Sequence, residues 1–197
     1  MTKILITGFE PFTTGQGLIL TKNPTGAMAL DIARHVEGGM SAILPVSFKK
    51  TKADLEALFT AHRPDVWLGL GYAPHRTHVD VEYVALNVEH AVRGDNDGET
   101  PFLQSVRQGA PNALFTRLPV ERIVDKMERL ELPVQISLHA GTFLCNQTFY
   151  LGCYEVEVES RMSMAGFIHV PPGIDREAFI RATADFLNEL IEEGLHD

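Results

Sequence analysis

Lys3-Ile4-Leu5-Ile6-Thr7-Gly8 is a short apolar run that stops at a glycine, the pattern of a buried first strand. Asn23-Pro24 follows, with Ala27, Leu30, Ile32 and Ala33 behind it. An asparagine that can cap a helix, a proline suited to its first turn and apolar residues at helical spacing predict an amphipathic helix. The same succession then repeats. Residues 41–46 read as a second strand, residues 51–61 as a helix with apolar Leu55, Leu58 and Phe59, and residues 66–70 as a third strand after Arg63-Pro64-Asp65. Strands that alternate with helices have their crossovers on the faces of the sheet, so the chain is α/β with a parallel sheet covered by helices.

The middle departs from this rhythm. Residues 79–92 are rich in Val and Leu with polar residues interspersed, which predicts extended structure in the form of an antiparallel ribbon. A polar stretch from 93 to 112 reads as a loop, and loops of that length usually carry function. Alternation resumes with Pro119 in the first turn of a helix to about residue 130, a strand over 134–138, a helix over 142–160 and a strand over 167–170. Asp175 then caps a closing helix whose apolar side is Phe179, Ala182, Phe186, Leu187, Leu190 and Ile191.

With 197 residues, 45% of them hydrophobic, the chain can build one sizeable core, and a single domain over 1–197 is expected. A net charge of -9 without any block of Lys and Arg argues against nucleic acid or an anionic membrane as partner. Neither a charged leader before an apolar segment nor an apolar run of about 18 residues is present, so a cytoplasmic protein is expected. Cys145 and Cys153 on one helix would stand about 12 Å apart, too far for a disulfide, and read as free thiols.

Ala140-Gly141-Thr142-Phe143-Leu144-Cys145-Asn146 places a cysteine just past a glycine turn at the mouth of a helix. The thiolate is the reactive form, and the positive end of a helix is one of the few features that favours it without a neighbouring cation. Gly166-Phe167-Ile168-His169-Val170-Pro171 supplies a histidine at the end of a strand that can carry the proton. A third group must hold the imidazole, and Glu82 fits best, flanked by apolar residues in Val81-Glu82-Tyr83-Val84-Ala85-Leu86-Asn87-Val88.

Each residue also has a plain structural role open to it. Free cysteines are usually buried and inert, as Cys153 is read; His169 could be a hydrogen-bonded core residue, and Glu82 a charge protecting a strand edge. His75, His78 and Asp80 lack the spacing of a known metal motif, so no metal is predicted. His139 either positions a substrate or caps its strand. The glycines form neither a dinucleotide nor a nucleoside triphosphate signature, so neither of those ligands is indicated.

Taken together, Gly8-Phe9-Glu10-Pro11-Phe12 with Asn23-Pro24, the Glu82 to Val88 segment, and the cysteine and histidine motifs resemble the signatures of the pyroglutamyl peptidase I family, the pyrrolidone-carboxylate peptidases. Order and spacing agree, and Arg63-Pro64-Asp65, Asp95-Asn96 and residues 109–119 extend the resemblance over nearly the whole chain. It implies a three-layer αβα sandwich with a mixed, mostly parallel twisted sheet. It further implies a cysteine exopeptidase that removes N-terminal pyroglutamate (5-oxoproline) from peptides through a thioester, without a cofactor and as a dimer or tetramer. By the same correspondence Cys145 is the nucleophile, His169 the general base and acid, and Glu82 the residue that orients it.

A flat, uncharged lactam needs apolar faces, which the resemblance assigns to Phe9 and Phe12, with Tyr72, Phe143 and Leu144 completing the substrate pocket. The chain departs from the family pattern in three places. Residues 13–22 form a longer segment than usual, Tyr72 stands at a usual glutamine, and Val92 stands at a usual arginine with Arg93 beside it. Two alternatives are a cysteine amidase of the same build that prefers another small acyl group, and a non-catalytic binder of small ligands.

Overall fold

A computed structural model describes residues 2–12 and 23–194, so the long segment over 13–22 lies outside the described residues. In chain order the elements are β1 Ile4–Phe9, α1 Pro24–Arg34, β2 Gly39–Leu44, α2 Phe48–His62, β3 Val66–Tyr72, β4 Val79–Glu82, β5 Val84–Leu86 and β6 Ala113–Phe115. They continue with α3 Val120–Arg129, β7 Val134–Ser137, α4 Leu144–Glu157, β8 Met164–Val170 and α5 Arg176–Glu192.

Six strands form one sheet in the order β2-β1-β3-β8-β4-β7. β2, β1, β3 and β8 run parallel, while β4 lies antiparallel to β8 and parallel to β7, so the sheet is mixed and mostly parallel. Strand side chains alternate between faces, and each face has its own core. Ile4, Ile6, Leu68, Leu70, Ile168 and Val170 meet α1, α3 and α5 on one side. Leu5, Phe9, Trp67 and Phe167 meet α2 and α4 on the other. The result is the expected three-layer arrangement.

Local signals place most helices. Asn23 caps α1 by accepting the Thr25 amide, Ser47 caps α2, and Asp175 caps α5 through the Ala178 amide. In α1, Ala27 and Leu30 face outward while Met28, Ala29, Ile32 and Ala33 are buried, a rotation of the apolar side from the one predicted. Pro119 is the cap of α3 rather than part of its first turn, and α4 is shorter at both ends than the predicted 142–160.

The expected ribbon over 79–92 is corrected. The segment divides at Tyr83: β4 enters the central sheet, whereas β5 pairs antiparallel with β6 in a separate two-stranded sheet. Alternating Val and polar residues suit either partner, and the choice is made by where β8 and β6 lie. Among the described residues, no helix is long and apolar enough to cross a membrane.

Candidate active site

The chain turns into α4 at Gly141, whose φ of 85° is a left-handed conformation that suits a residue without a Cβ. Phe143 then caps the helix in extended backbone with no side-chain hydrogen bond to the first turn. The amides there remain for another acceptor, at the positive end of the helix. Cys145 is the second helical residue, half-buried, and its sulphur lies over β3 at Gly71. A methyl group at Gly71 would stand 2.9 Å from Cys145 Sγ and 2.8 Å from the Phe167 ring. The absence of a side chain at this position is what lets the thiol reach the sheet.

Gly71 is in register with His169 on β8, which brings the imidazole beside the sulphur. His169 Nδ1 bonds Glu82 Oε1 at 2.7 Å, a diagonal contact between antiparallel β8 and β4. Both side chains are almost wholly removed from solvent, at 6% and 0% exposure. Burial opposes charge on the ring, but Cys145 and then Glu82, through charge and hydrogen bonding, outweigh it and push His169 up to about 9. The imidazole is therefore protonated at neutral pH, with one nitrogen on a carboxylate and a sulphur beside it. Cys153 has the opposite setting: burial in the core, with Glu157 adding to it, pushes its thiol well up, which fits an inert structural cysteine.

Beside Cys145 is a cavity of about 170 Å³, walled by Phe9, Phe12, Tyr72, Phe143 and Leu144 and predominantly apolar. All five residues expected around the substrate line it. Asn23, Val46, Pro74 and His75 complete the wall and were not anticipated. Val92 is 88% exposed and lies outside this cavity, in an adjoining groove with Arg93 that shares Phe12 and Phe143.

The Phe12 turn is fastened from several sides. Asn23 Nδ2 donates to the Glu10 carbonyl, Glu10 Oε1 accepts the Val46 amide, and Asn96 Nδ2 donates to Glu10 Oε1 and the Pro11 carbonyl. Asp95 in turn accepts the amides of Phe48, Asp97 and Glu99, holding this part of the 93–112 loop against the start of α2. The loop is thus a support for the pocket.

Asn146 next to the cysteine exchanges hydrogen bonds with the backbone of Leu86 and donates to the Val88 carbonyl, tying α4 to β5. It stood in the cysteine motif without a role, and its buried amide explains it. Arg76 was not singled out at all, yet its guanidinium bonds both Asp80 and Glu82. His139 is exposed, and its Nδ1 accepts the Gly141 amide. Asp80 is occupied by Arg76 and Gln135, and among the described residues no group of His, Cys, Asp and Glu is placed to hold a metal ion.

The model of the pyroglutamyl peptidase family matches residues 2–181. The pyrrolidone-carboxylate peptidase of Thermococcus kodakarensis is 36% identical over 195 residues, covering 98% of this chain and 92% of that protein. The enzyme of the same name from Thermosipho melanesiensis is 35% identical over 171 residues, covering 86% and 82% respectively. Among solved structures, a mutant pyrrolidone carboxyl peptidase of Pyrococcus furiosus superposes with a TM-score of 0.87 at 31% identity, covering 98% of this chain and 99% of that one. Pyroglutamyl peptidase I of Bacillus amyloliquefaciens gives 0.84 at 30% identity, covering 95% and 96%.

Proposed function

The chain belongs to the pyroglutamyl peptidase family, and from that premise we propose how its own residues remove an N-terminal pyroglutamyl group. The observation that carries the proposal is the line Glu82–His169–Cys145 ending at the mouth of an apolar cavity. The lactam ring enters between Phe9 and Phe12, and the carbonyl that follows it comes to rest over Cys145. The thiolate adds to that carbon, and the developing oxyanion is received by backbone amides in the first turn of α4.

His169, already protonated, gives its proton to the departing amine as the C–N bond breaks, leaving a thioester on Cys145. It then takes a proton from the incoming water, and hydroxide addition expels the sulphur and frees pyroglutamate. Glu82 holds the ring by Nδ1 throughout, so that the other nitrogen stays aimed at the reacting atoms. This chemistry calls for no cofactor. We further propose a cytoplasmic enzyme, in keeping with two free thiols, that acts as one catalytic domain and assembles as a homo-oligomer.

The test is hydrolysis of a pyroglutamyl-aminomethylcoumarin amide beside its prolyl counterpart, with and without iodoacetamide. Iodoacetamide-sensitive cleavage of the pyroglutamyl amide is the expected result. Phe12→Ala should weaken transition-state binding of that substrate by about 2 kcal/mol, with alkylation of the thiol unchanged. Tyr72 in the cavity wall favours one second reading, an amidase for a related small acyl group; a parent enzyme that prefers the prolyl amide would establish it.

A further inference from the structure

Arg76 lies between β3 and β4, 27% exposed along its side chain, and reaches two parts of the site at once. Its Nη1 donates to Glu82 Oε1 at 2.8 Å, the oxygen that also takes His169 Nδ1. The same nitrogen bonds Asp80 and stands 3.3 Å from Ser137 Oγ, while Nη2 donates to the His139 carbonyl at 2.9 Å. His139 in turn receives the amide of Gly141 at 3.0 Å, the glycine at which the chain turns into α4.

Asp80 and Glu82 project from the same face of β4 and are 1% and 0% exposed. Two carboxylates buried side by side repel one another and have each lost hydration, a cost that a cation facing both of them offsets. The guanidinium is that cation, and its planar fork leaves a second nitrogen for the His139 carbonyl. The charged groups facing it are Asp80 and Glu82 on β4, with His169 beyond Glu82 on β8 and Cys145 on α4 beyond His169.

We propose that Arg76 is a positioning residue for hydrolysis: its charge and hydrogen bond hold the Glu82 carboxylate against His169, and its second nitrogen fixes the turn that presents Cys145. This rests on the roles proposed above for Cys145, His169 and Glu82. The two tasks separate by substitution. Removing the positive charge leaves Glu82 without its counter-charge, so the carboxylate holds the Nδ1 proton of His169 more tightly and the imidazolium persists to higher pH. The alkaline limb of the pH–rate profile then moves upward. A lysine keeps the charge but loses the fork, leaving the limbs in place while the turn loosens.

The experiment compares parent, Arg76→Gln and Arg76→Lys in a Cys153→Ala background, with folding followed by circular dichroism. kcat and KM for the pyroglutamyl-coumarin amide are measured across pH, and so is iodoacetamide alkylation of Cys145 without substrate. Arg76→Gln should lose about tenfold or more in kcat with KM within about twofold, and the alkaline midpoint of its rate and alkylation profiles should rise by about half a pH unit or more. Arg76→Lys should lose several-fold in kcat at parental midpoints. Folded Arg76→Gln with unmoved midpoints overturns the proposal. If Arg76→Gln does not fold, Arg76→Lys decides: parental kcat overturns the proposal, and a several-fold loss at unmoved midpoints supports it. A parent without pyroglutamyl turnover would overturn the assigned function instead, and the alkylation curves would still read out Arg76.

Discussion

A sulphur at position 145 is useful because of what surrounds it, and two substitutions separate the atom from its setting. Cys145→Ser should abolish hydrolysis with an unchanged circular dichroism spectrum, because a hydroxyl of similar size is far harder to ionise beside His169. Cys153→Ala, in the core of the same helix, should retain activity. Gly71→Ala tests the setting. Its methyl would meet Cys145 Sγ at 2.9 Å, so the thiol must shift, and kcat should fall while overpacking destabilises the protein by about 1–3 kcal/mol. Unchanged kcat in Gly71→Ala would mean that the sulphur does not need its position over β3.

Among the elements, α1 and the turn before it act together. Asn23 accepts the Thr25 amide at 3.0 Å and donates to the Glu10 carbonyl at 3.1 Å, so one side chain both starts the helix and holds the loop that carries Phe12. Asn23→Ala should therefore cost about 1 kcal/mol in urea unfolding from the lost cap. It should also raise KM for the pyroglutamyl substrate more than it lowers kcat, since the ring-binding wall loosens while the Cys145–His169 pair is untouched. A stability loss with parental KM would separate the cap from the pocket.

Over the whole molecule, pH reads the coupling between β8, β4 and α4. His169 is raised from an ordinary 6.5 to about 9, which means that the folded state holds its proton more tightly than the unfolded chain does. The stabilisation is complete below the ordinary value and is lost as pH rises through about 9, where the imidazolium next to Glu82 and Cys145 disappears. Tm should fall across that window, and kcat/KM should fall with it because the proton for the leaving amine is gone. In His169→Ala the Tm change over the same window should be smaller.

The alternation of strands and helices, the caps at Asn23 and Asp175 and the cysteine at a helix mouth were legible in the residues themselves, because each depends on neighbours a few positions away. The residues also pointed to Cys145, His169 and Glu82 as a set, and resemblance to a family gave that set its roles and named the aromatic wall. Local pattern could not supply the strand order. Glu82 and His169 are 87 residues apart, and they meet because β4 enters the sheet antiparallel to β8, a pairing that the alternating Val and polar residues of 79–92 leave open. The places of Arg76, Asn146 and Asn96 were likewise hidden, since each bonds residues distant in the chain. Short-range periodicity encodes which face of an element is apolar; which polar groups become neighbours is settled when the layers close, as buried donors and acceptors find partners across them.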